Sequence, residues 1–357
     1  MSGISERLIH SIEEKRHVLS EAVVDRLYRL QPEMWNRYGE KGRQLSVRDA
    51  DYHFTYLLQA LSESDPGLFV HYVDWLRGLF EEHKFPPESL SLVLKCMRDV
   101  LRESFSPEMA EVTDQYLEEA LALLFQQYEP EPSFLSEDSP LHGLATRYLE
   151  ALLQGDRHAA CRLVLDAIER GTSVKDIYIN VFQRCQYEIG RLWYTNRISV
   201  AQEHFCSAAT QMIMSQLYPH IFATEKIGRR FVAACVGGEL HEIGIRMVAD
   251  FFEMDGWDTY YLGANTPASG IMEAVEARKA DVLGLSATLA FHVKLLREII
   301  GQVKESPMSH SFYILVGGYA LRSSPGLWQR IGADGFAEDA QSAVITANRL
   351  IAENHLS

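Results

Sequence analysis

The stretch Phe231-Val232-Ala233-Ala234-Cys235-Val236-Gly237-Gly238, running straight into Glu239-Leu240-His241-Glu242-Ile243-Gly244, decides how the rest of the chain is read. A short apolar run ends in paired glycines and gives way to an amphipathic helical pattern, which is the signature of strand, turn and helix. His241 falls at the carboxyl end of this expected first strand, where open α/β sheets bind their ligands. It is either a metal ligand or an ordinary solvated turn histidine, and the neighbouring motifs discriminate between the two.

Downstream, the alternation continues. Short β-branched and aromatic runs at Thr259 to Leu262, Val282 to Ser286, Phe312 to Val316 and Gly335 to Ala337 are separated by helical patterns at Ala268 to Arg278, Ala290 to Lys304 and Pro325 to Ile331, and Ala340 to Glu353 follows the last of them. Strand and helix in strict alternation predict a parallel sheet covered on both faces, a Rossmann-like domain over 229–357. Several expected strand ends carry small residues: Gly237-Gly238, Gly263, Ser286-Ala287-Thr288 and Gly317-Gly318. Taken singly these are ordinary turns; taken together they suggest a slot between strands. The first turn lacks G-x-G-x-x-G, which argues against a nicotinamide dinucleotide.

Upstream, the pattern is helical throughout. From about Glu6 to Tyr128 apolar residues recur at helical spacing, as in Phe54-Leu57-Leu58-Leu61, interrupted by Pro66-Gly67 and Pro86-Pro87. Glu129-Pro130-Glu131-Pro132-Ser133 and Ser136-Glu137-Asp138-Ser139-Pro140 have linker composition. Helical patterns resume over 141–225, where Gly171-Thr172-Ser173 supplies a helix stop and the next N-cap. The expected organisation is therefore α/β plus all-α: an N-terminal helical domain (1–130), a smaller bundle of about four helices (141–225) and the Rossmann-like domain (229–357).

The 357 residues carry a net charge of −15 with no basic stripe, which argues against direct nucleic-acid binding and against adhesion to an anionic membrane. The five cysteines, Cys96, Cys161, Cys185, Cys206 and Cys235, are odd in number and sit in apolar segments, the pattern of reduced thiols. With no apolar run of roughly 18 residues and no signal-peptide core at the N-terminus, a cytoplasmic location is expected. No serine, cysteine or paired-carboxylate constellation reads as a catalytic centre, so no enzymatic activity is expected.

Glu239-Leu240-His241-Glu242-Ile243-Gly244, Ser286-Ala287-Thr288 and Gly317-Gly318 resemble, in order and placement, the (Asp/Glu)-x-His-x-x-Gly, Ser-x-(Leu/Thr) and Gly-Gly motifs of the cobalamin-binding domain family, whose sheet is five-stranded and flavodoxin-like. The resemblance implies that His241 coordinates cobalt from the lower face and that Glu239 bonds its other ring nitrogen. It further implies that the nucleotide tail threads past Gly244, Gly263, Ser286, Thr288, Gly317 and Gly318. In the second segment, Trp193, Val200, Glu203 and His204 stand at the spacing found in the helical cap of the CarH-type adenosylcobalamin photoreceptors, where such residues pack around the adenosyl group. Ser199 is placed to cap the helix that carries the last three.

Two departures accompany that second resemblance. Those photoreceptors begin with a MerR-class DNA-binding domain where this chain has about 128 acidic helical residues, and some carry a histidine where this chain has Tyr194, leaving His204 as the nearest donor. A helical domain ahead of cap and cobalamin domain is similar to the photocobilins, which implies biliverdin as a second chromophore, with His53 or His71 as its donor. The expected function is a light sensor using adenosylcobalamin, signalling through cap packing and oligomeric state, either as a homo-oligomer or to a protein partner. The alternative is a corrinoid protein carrying a methyl group for a cobalamin-dependent methyltransferase system, against which the bulky Trp-Val-Glu-His set speaks. A haem-binding relative is disfavoured by the tail-slot motifs.

Overall fold

A computed structural model describes residues 3–86, 88–305, 312–322 and 324–354. The chain divides into two units, 1–130 and 131–357. The first is entirely helical among its described residues, with long helices at Gly3–Leu30, Gly39–Glu63, Pro66–Glu82, Glu88–Ser104 and Pro107–Leu123. Pro66 and Pro107 open two of these, where a missing N–H costs nothing. Asp65 caps the first of them by accepting from the Gly67 N–H. Leu8, Ile12, Phe54, Leu57, Phe69, Val73, Met97 and Leu117 are fully buried in this unit. No helix among the described residues is long and apolar enough to cross a membrane.

The second unit begins with helices at His142–Leu153, Arg157–Glu169 and Val174–Ile177, the last continuing through a π-helical turn, Tyr178–Gln183, into Arg184–Tyr194. Val200–Gln216 completes a four-helix cap. Ser199 caps it in full capping-box geometry with Gln202, as expected from its placement. Five parallel strands follow: β1 (Arg230–Cys235), β2 (Asp258–Gly263), β3 (Val282–Ser286), β4 (Tyr313–Gly317) and β5 (Gly335–Ala337). Each lies within one residue of its expected span. Their order, β2-β1-β3-β4-β5, is the flavodoxin-like one, and it reverses direction between β1 and β3. In open sheets of this topology the ligand crevice lies outside the carboxyl ends of the two strands that flank the reversal.

Buried residues of the cap and of the sheet domain form one continuous core rather than two. Tyr178 and Phe182 from the cap meet Phe251 and Phe252 from the helix Ile243–Met254, with the Tyr178 and Phe251 ring centroids 6.1 Å apart. Arg246 on the same helix donates to the Gln211 carbonyl, to Ser215 Oγ and to Tyr218 Oη. The proline-rich stretch before the cap is held to it: the Phe134 N–H donates to Glu188 Oε2, and Arg184 donates to Ser139 Oγ. Its composition reads as linker, yet these side-chain bonds tie it to the second unit.

The junction of cap and sheet domain contains a buried carboxyl. Tyr178 Oη donates to Asp250 Oδ2 at 2.7 Å. Burial pushes the Asp250 pKa from 3.8 up to about 6, against the opposing pull of the Tyr178 hydrogen bond and the Arg246 charge. A carboxyl whose folded pKa lies above its unfolded one favours folding only while protonated, so its ionisation between those two values destabilises the second unit by up to roughly 3 kcal/mol. Asp250→Asn keeps an acceptor for Tyr178 and removes that penalty. Its stability relative to the wild type, measured by denaturant unfolding, should therefore rise from pH 4.5 to pH 8; a pH-independent difference would contradict this account.

Candidate functional site

The crevice at the carboxyl ends of β1 and β3 is built around one buried carboxylate. Beyond β1 the chain turns through Gly237 and Gly238, the latter in a left-handed conformation at φ +78°. The Gly238 N–H donates to Asn265 Oδ1, and the Asn265 N–H returns to the Glu239 carbonyl. That brace from the loop after β2 leaves Glu239 with no exposed surface and its side chain pointing across the crevice. Oε1 accepts from the His241 N–H at 2.9 Å and lies 2.5 Å from His241 Nδ1. Oε2 accepts from the Thr288 N–H at 2.6 Å and the Leu289 N–H at 3.4 Å, and lies 3.0 Å from Nδ1 of His292. A single carboxylate thus joins the loop after β1 to the loop after β3.

The electrostatics follow from that geometry. Burial alone would raise the Glu239 pKa, but the hydrogen bonds from His241, His292 and the backbone N–H groups outweigh it and hold the carboxyl far below its usual range. An ionised carboxylate only accepts, so His241 keeps its proton on Nδ1 and Nε2 is the nitrogen left for a metal. The His241 side chain is 58% exposed although its Nδ1 is anchored. The helix begins at Ile243, and His241, its N–H taken by Glu239, stays in the loop before it.

The remaining expected residues divide into three groups. Ser286 is buried at the end of β3, paired in register with Cys235 and Gly317, and its carbonyl accepts from Val236. Thr288 enters the site through its backbone N–H. A Cβ on Gly318 would lie 2.2 Å from the Ala287 carbonyl oxygen, and one on Gly317 would lie 3.1 Å from the Ala337 carbonyl oxygen, so these glycines draw neighbouring loops together. Gly263, at φ +83°, packs against Glu242, which accepts from Tyr261 Oη and the Ala264 N–H. Gly244 is different: nothing lies within 4 Å of where its Cβ would be, so space is open beside the helix start.

The third group lies on the cap. Trp193 ends one helix and is 40% exposed, and Val200 opens the next and is 53% exposed. Glu203 lies 2.5 Å from His204 Nδ1 and accepts from Ser207 Oγ. Its negative charge adds a small upward push to the His241 pKa, behind the larger effect of Glu239. From Ser207 the hydrogen bonds continue to Gln186, Thr210 and the buried Tyr148. In the N-terminal unit His53 is buried with Nδ1 2.7 Å from Tyr72 Oη, so its ring is committed to the helix core, while His71 is half-buried. His292 and Asn265 are the site residues that motif spacing missed. His292 stands six residues beyond Ser286, and only the tertiary turn reveals that it reaches Glu239.

Residues 229–345 match a family model described as a B12 binding domain, and residues 144–218 match a second model of the same description. A corrinoid protein of Desulfitobacterium hafniense is 25% identical over 207 residues, covering 57% of this chain and 94% of the relative. Dimethylamine corrinoid protein 2 of Methanosarcina acetivorans is 27% identical over 215 residues, covering 57% and 97%. The solved structure of the monomethylamine corrinoid protein of Methanosarcina barkeri superposes with a TM-score of 0.54 at 20% identity, over 59% of this chain and all of that one, which shows the shared fold. Together the matches support a cobalamin-binding protein. Neither family match reaches into residues 1–130.

The pairing of His241 with Glu239 has a measurable consequence. The hydrogen bond to Glu239 raises the His241 pKa above 6.5, burial lowers it, and the charges of Glu239 and Glu203 raise it further. The raised value means that the pair stabilises the loop below pH 6.5 and that this contribution fades as pH rises through the folded pKa. Ring NMR titration of the protein without added cobalamin should show His241 titrating above 6.5, falling clearly in Glu239→Gln and less in Glu203→Gln. A wild-type midpoint at or below 6.5 would show that the carboxylate does not hold the ring.

Proposed function

We propose that this chain binds a corrinoid through His241 and carries it, methyl-bearing, to a partner protein that adds or removes the methyl group. The observation that carries this reading is the imidazole whose Nδ1 is anchored to a fully buried carboxylate while the ring stands at the mouth of the β1–β3 crevice. The donor set fits: a neutral imidazole whose far nitrogen donates to a carboxylate is an oriented, strengthened ligand for a borderline metal such as cobalt. The names of the relatives, corrinoid protein and dimethylamine corrinoid protein, support methyl carriage over other uses of the cofactor. When bound, the corrinoid supplies a cobalt–carbon bond that can be made and broken.

Every other task falls to the chain. His241 would hold the metal through Nε2, and Glu239 keeps the proton on Nδ1 so that the Nε2 lone pair stays free. Gly244 leaves room beside the helix start for the nucleotide tail, with Gly263, Ser286, Thr288, Gly317 and Gly318 shaping the walls of the slot. Above, Trp193, Val200, Glu203 and His204 would cover the opposite face. The partial exposure of Trp193 and Val200 suits a carrier, whose upper face has to be reached by a second protein.

A second reading, light sensing with adenosylcobalamin, is favoured by one observation. An indole and a short Glu203–His204 pair on the cap would give a bulky, polar roof that an adenosyl group fits better than a methyl group does. In that reading biliverdin would sit on the N-terminal unit, where Tyr56, Tyr72 and Trp75 stack in sequence, with ring centroids 3.7 Å and 6.2 Å apart. His71 lies on the helix Pro66–Glu82 and is half-buried, while His53 is bound to Tyr72.

The two readings separate in one experiment. The protein is loaded with methylcobalamin or adenosylcobalamin in the dark, its absorption spectrum is recorded, and it is illuminated with green light and run on a sizing column. Carriage predicts an imidazole-ligated spectrum with methylcobalamin and an elution volume that light leaves unchanged; sensing predicts a light-driven change in elution with adenosylcobalamin. His241→Ala should remove the imidazole-ligated spectrum and weaken binding by roughly 10-fold or more. An unchanged spectrum in that variant would sink both.

A further inference from the structure

One side of the helix Arg184–Tyr194, which carries Trp193 in its last turn, is given over to the residues that precede the cap. Arg184, Tyr187, Glu188 and Arg191 recur at helical spacing and share a single face. Arg184 Nη1 donates to Ser139 Oγ at 2.9 Å and to the Phe134 carbonyl at 3.4 Å. The Tyr187 and Phe134 rings meet with centroids 5.3 Å apart. Glu188 Oε2 accepts from the Phe134 N–H at 2.9 Å, and Arg191 donates to both Glu188 oxygens, at 3.0 Å and 2.6 Å. Glu188 is buried. Burial alone would raise its pKa, but the bonds from Arg191, from the Phe134 N–H and from Ser133 hold the carboxyl below its usual range.

The segment has a shape of its own. The Ser139 N–H donates to the Ser136 carbonyl at 3.0 Å, the Ser136 and Ser139 hydroxyls lie 2.7 Å apart, and the Leu135 N–H donates to Ser133 Oγ at 3.1 Å. Leu135 packs against the core of the second unit. A stretch of linker composition is thus folded into a short strap, with polar bonds to the helix face and one apolar foot. Trp193 lies two residues beyond Arg191, so at 3.6 residues per turn it leaves the helix roughly half a turn around from it. Cys185 and Ile189 bury the earlier turns of the helix in the core, whereas Leu192 in the last turn is only partly buried. The turn that carries Trp193 is therefore backed, on the side away from the indole, by the chain of contacts from Arg191 through Glu188 to Phe134.

We infer that residues 133–139 form a strap that backs the helix carrying Trp193 and sets how far this upper-face side chain can yield. With the strap seated the indole is held; with the strap lifted the last turn of the helix loosens. The inference rests on the corrinoid reading above only for what lies beneath Trp193, since the docking stands on the bonds just described. Phe134 and Ser139 are positioning residues, acting on Trp193 through the helix. The first unit closes at Pro130, so a pull on the chain there reaches the cap first at Ser133 and Phe134.

The test is hydrogen–deuterium exchange, read by mass spectrometry on the full chain without added cobalamin. It compares wild type, the double variant Phe134→Gly with Ser139→Ala, and a control, Asp138→Ala, at an exposed position of the strap. The double variant keeps the Phe134 N–H for Glu188 and removes the ring contact with Tyr187 and the acceptor for Arg184. Amides of 190–196 should exchange about 10-fold faster in it, while those of 206–214, and all amides of the control, keep wild-type rates. No rise at 190–196, or an equal rise throughout the second unit, would overturn the inference. Loaded with hydroxocobalamin and given one equivalent of cyanide, the double variant should also replace its upper-face ligand several-fold faster than the wild type. Loosened amides with unaltered cyanide substitution would overturn the link to the upper face. No cobalamin uptake by the wild type would overturn the corrinoid reading and leave the amide rates to decide the strap. Should the double variant not fold, the wild type decides: the Phe134 amide, donated to a buried carboxylate, should exchange on the order of 100-fold slower than in an unstructured peptide. Exchange at the peptide rate would refute the docking.

Discussion

The site depends on one buried negative charge. A carboxylate with no exposed surface is costly unless it is fully hydrogen-bonded, by several kcal/mol even after the protein relaxes around it. Glu239 meets that demand with donors from two loops and two rings, and meeting it is what brings those loops together. The position of His241 is a consequence. Its N–H and its Nδ1 both answer to the same carboxylate oxygen, so the ring is held in the loop, short of the helix, with its other nitrogen outward. Ligand geometry and loop geometry are in this sense a single constraint, and neither could be altered without disturbing the other.

Much of this was legible in the sequence, for reasons that can be named. The parallel sheet announced itself because its strands, buried on both faces, are short apolar runs bounded by glycines, and those of β1 and β3 are almost wholly buried. The pairing of Glu239 with His241 was expected from the resemblance to the cobalamin-binding motif, and the two side chains do meet at 2.5 Å. His292 was not, since its contact with Glu239 spans 53 residues and depends on the crossover that lays β3 beside β1. Gly317 and Gly318 were singled out for their small size, and a Cβ on either would crowd a neighbouring backbone carbonyl. The room next to Gly318 is filled by the Ala287 carbonyl, so the glycine allows two loops to touch, and open space occurs instead beside Gly244.

The proline-rich stretch before the cap follows the division between the two units and is anchored to the second of them. Polar and proline-rich segments bury little on average, yet Glu188 and Arg184 on a cap helix supply an acceptor for the Phe134 N–H and a donor to Ser139, and those specific bonds outweigh the general tendency. The N-terminal unit shows the converse. Its apolar residues recur at helical spacing, and Phe54, Phe69 and Tyr72 are buried, but Tyr52 and Trp75 are substantially exposed. Helical period gives the face on which a residue lies and says little about how far along that face the neighbouring helices extend.

The fusion of cap and sheet domain into one core bears on how the site could report its state. Tyr178 and Phe182 pack into the core that also holds Phe251 and Phe252, and Asp250 and Arg246 bond across the same junction, so the cap cannot move as a free lid without breaking buried contacts. Packed interfaces of this kind shift between discrete arrangements rather than deforming smoothly. The cap also carries a run of hydrogen bonds from Glu203, whose charge reaches His241, through Ser207, Gln186 and Thr210 to Tyr148 in its interior. Two sets of bonds thus run through the second unit: the polar run inside the cap, and the buried Tyr178–Asp250 contact that joins cap to sheet.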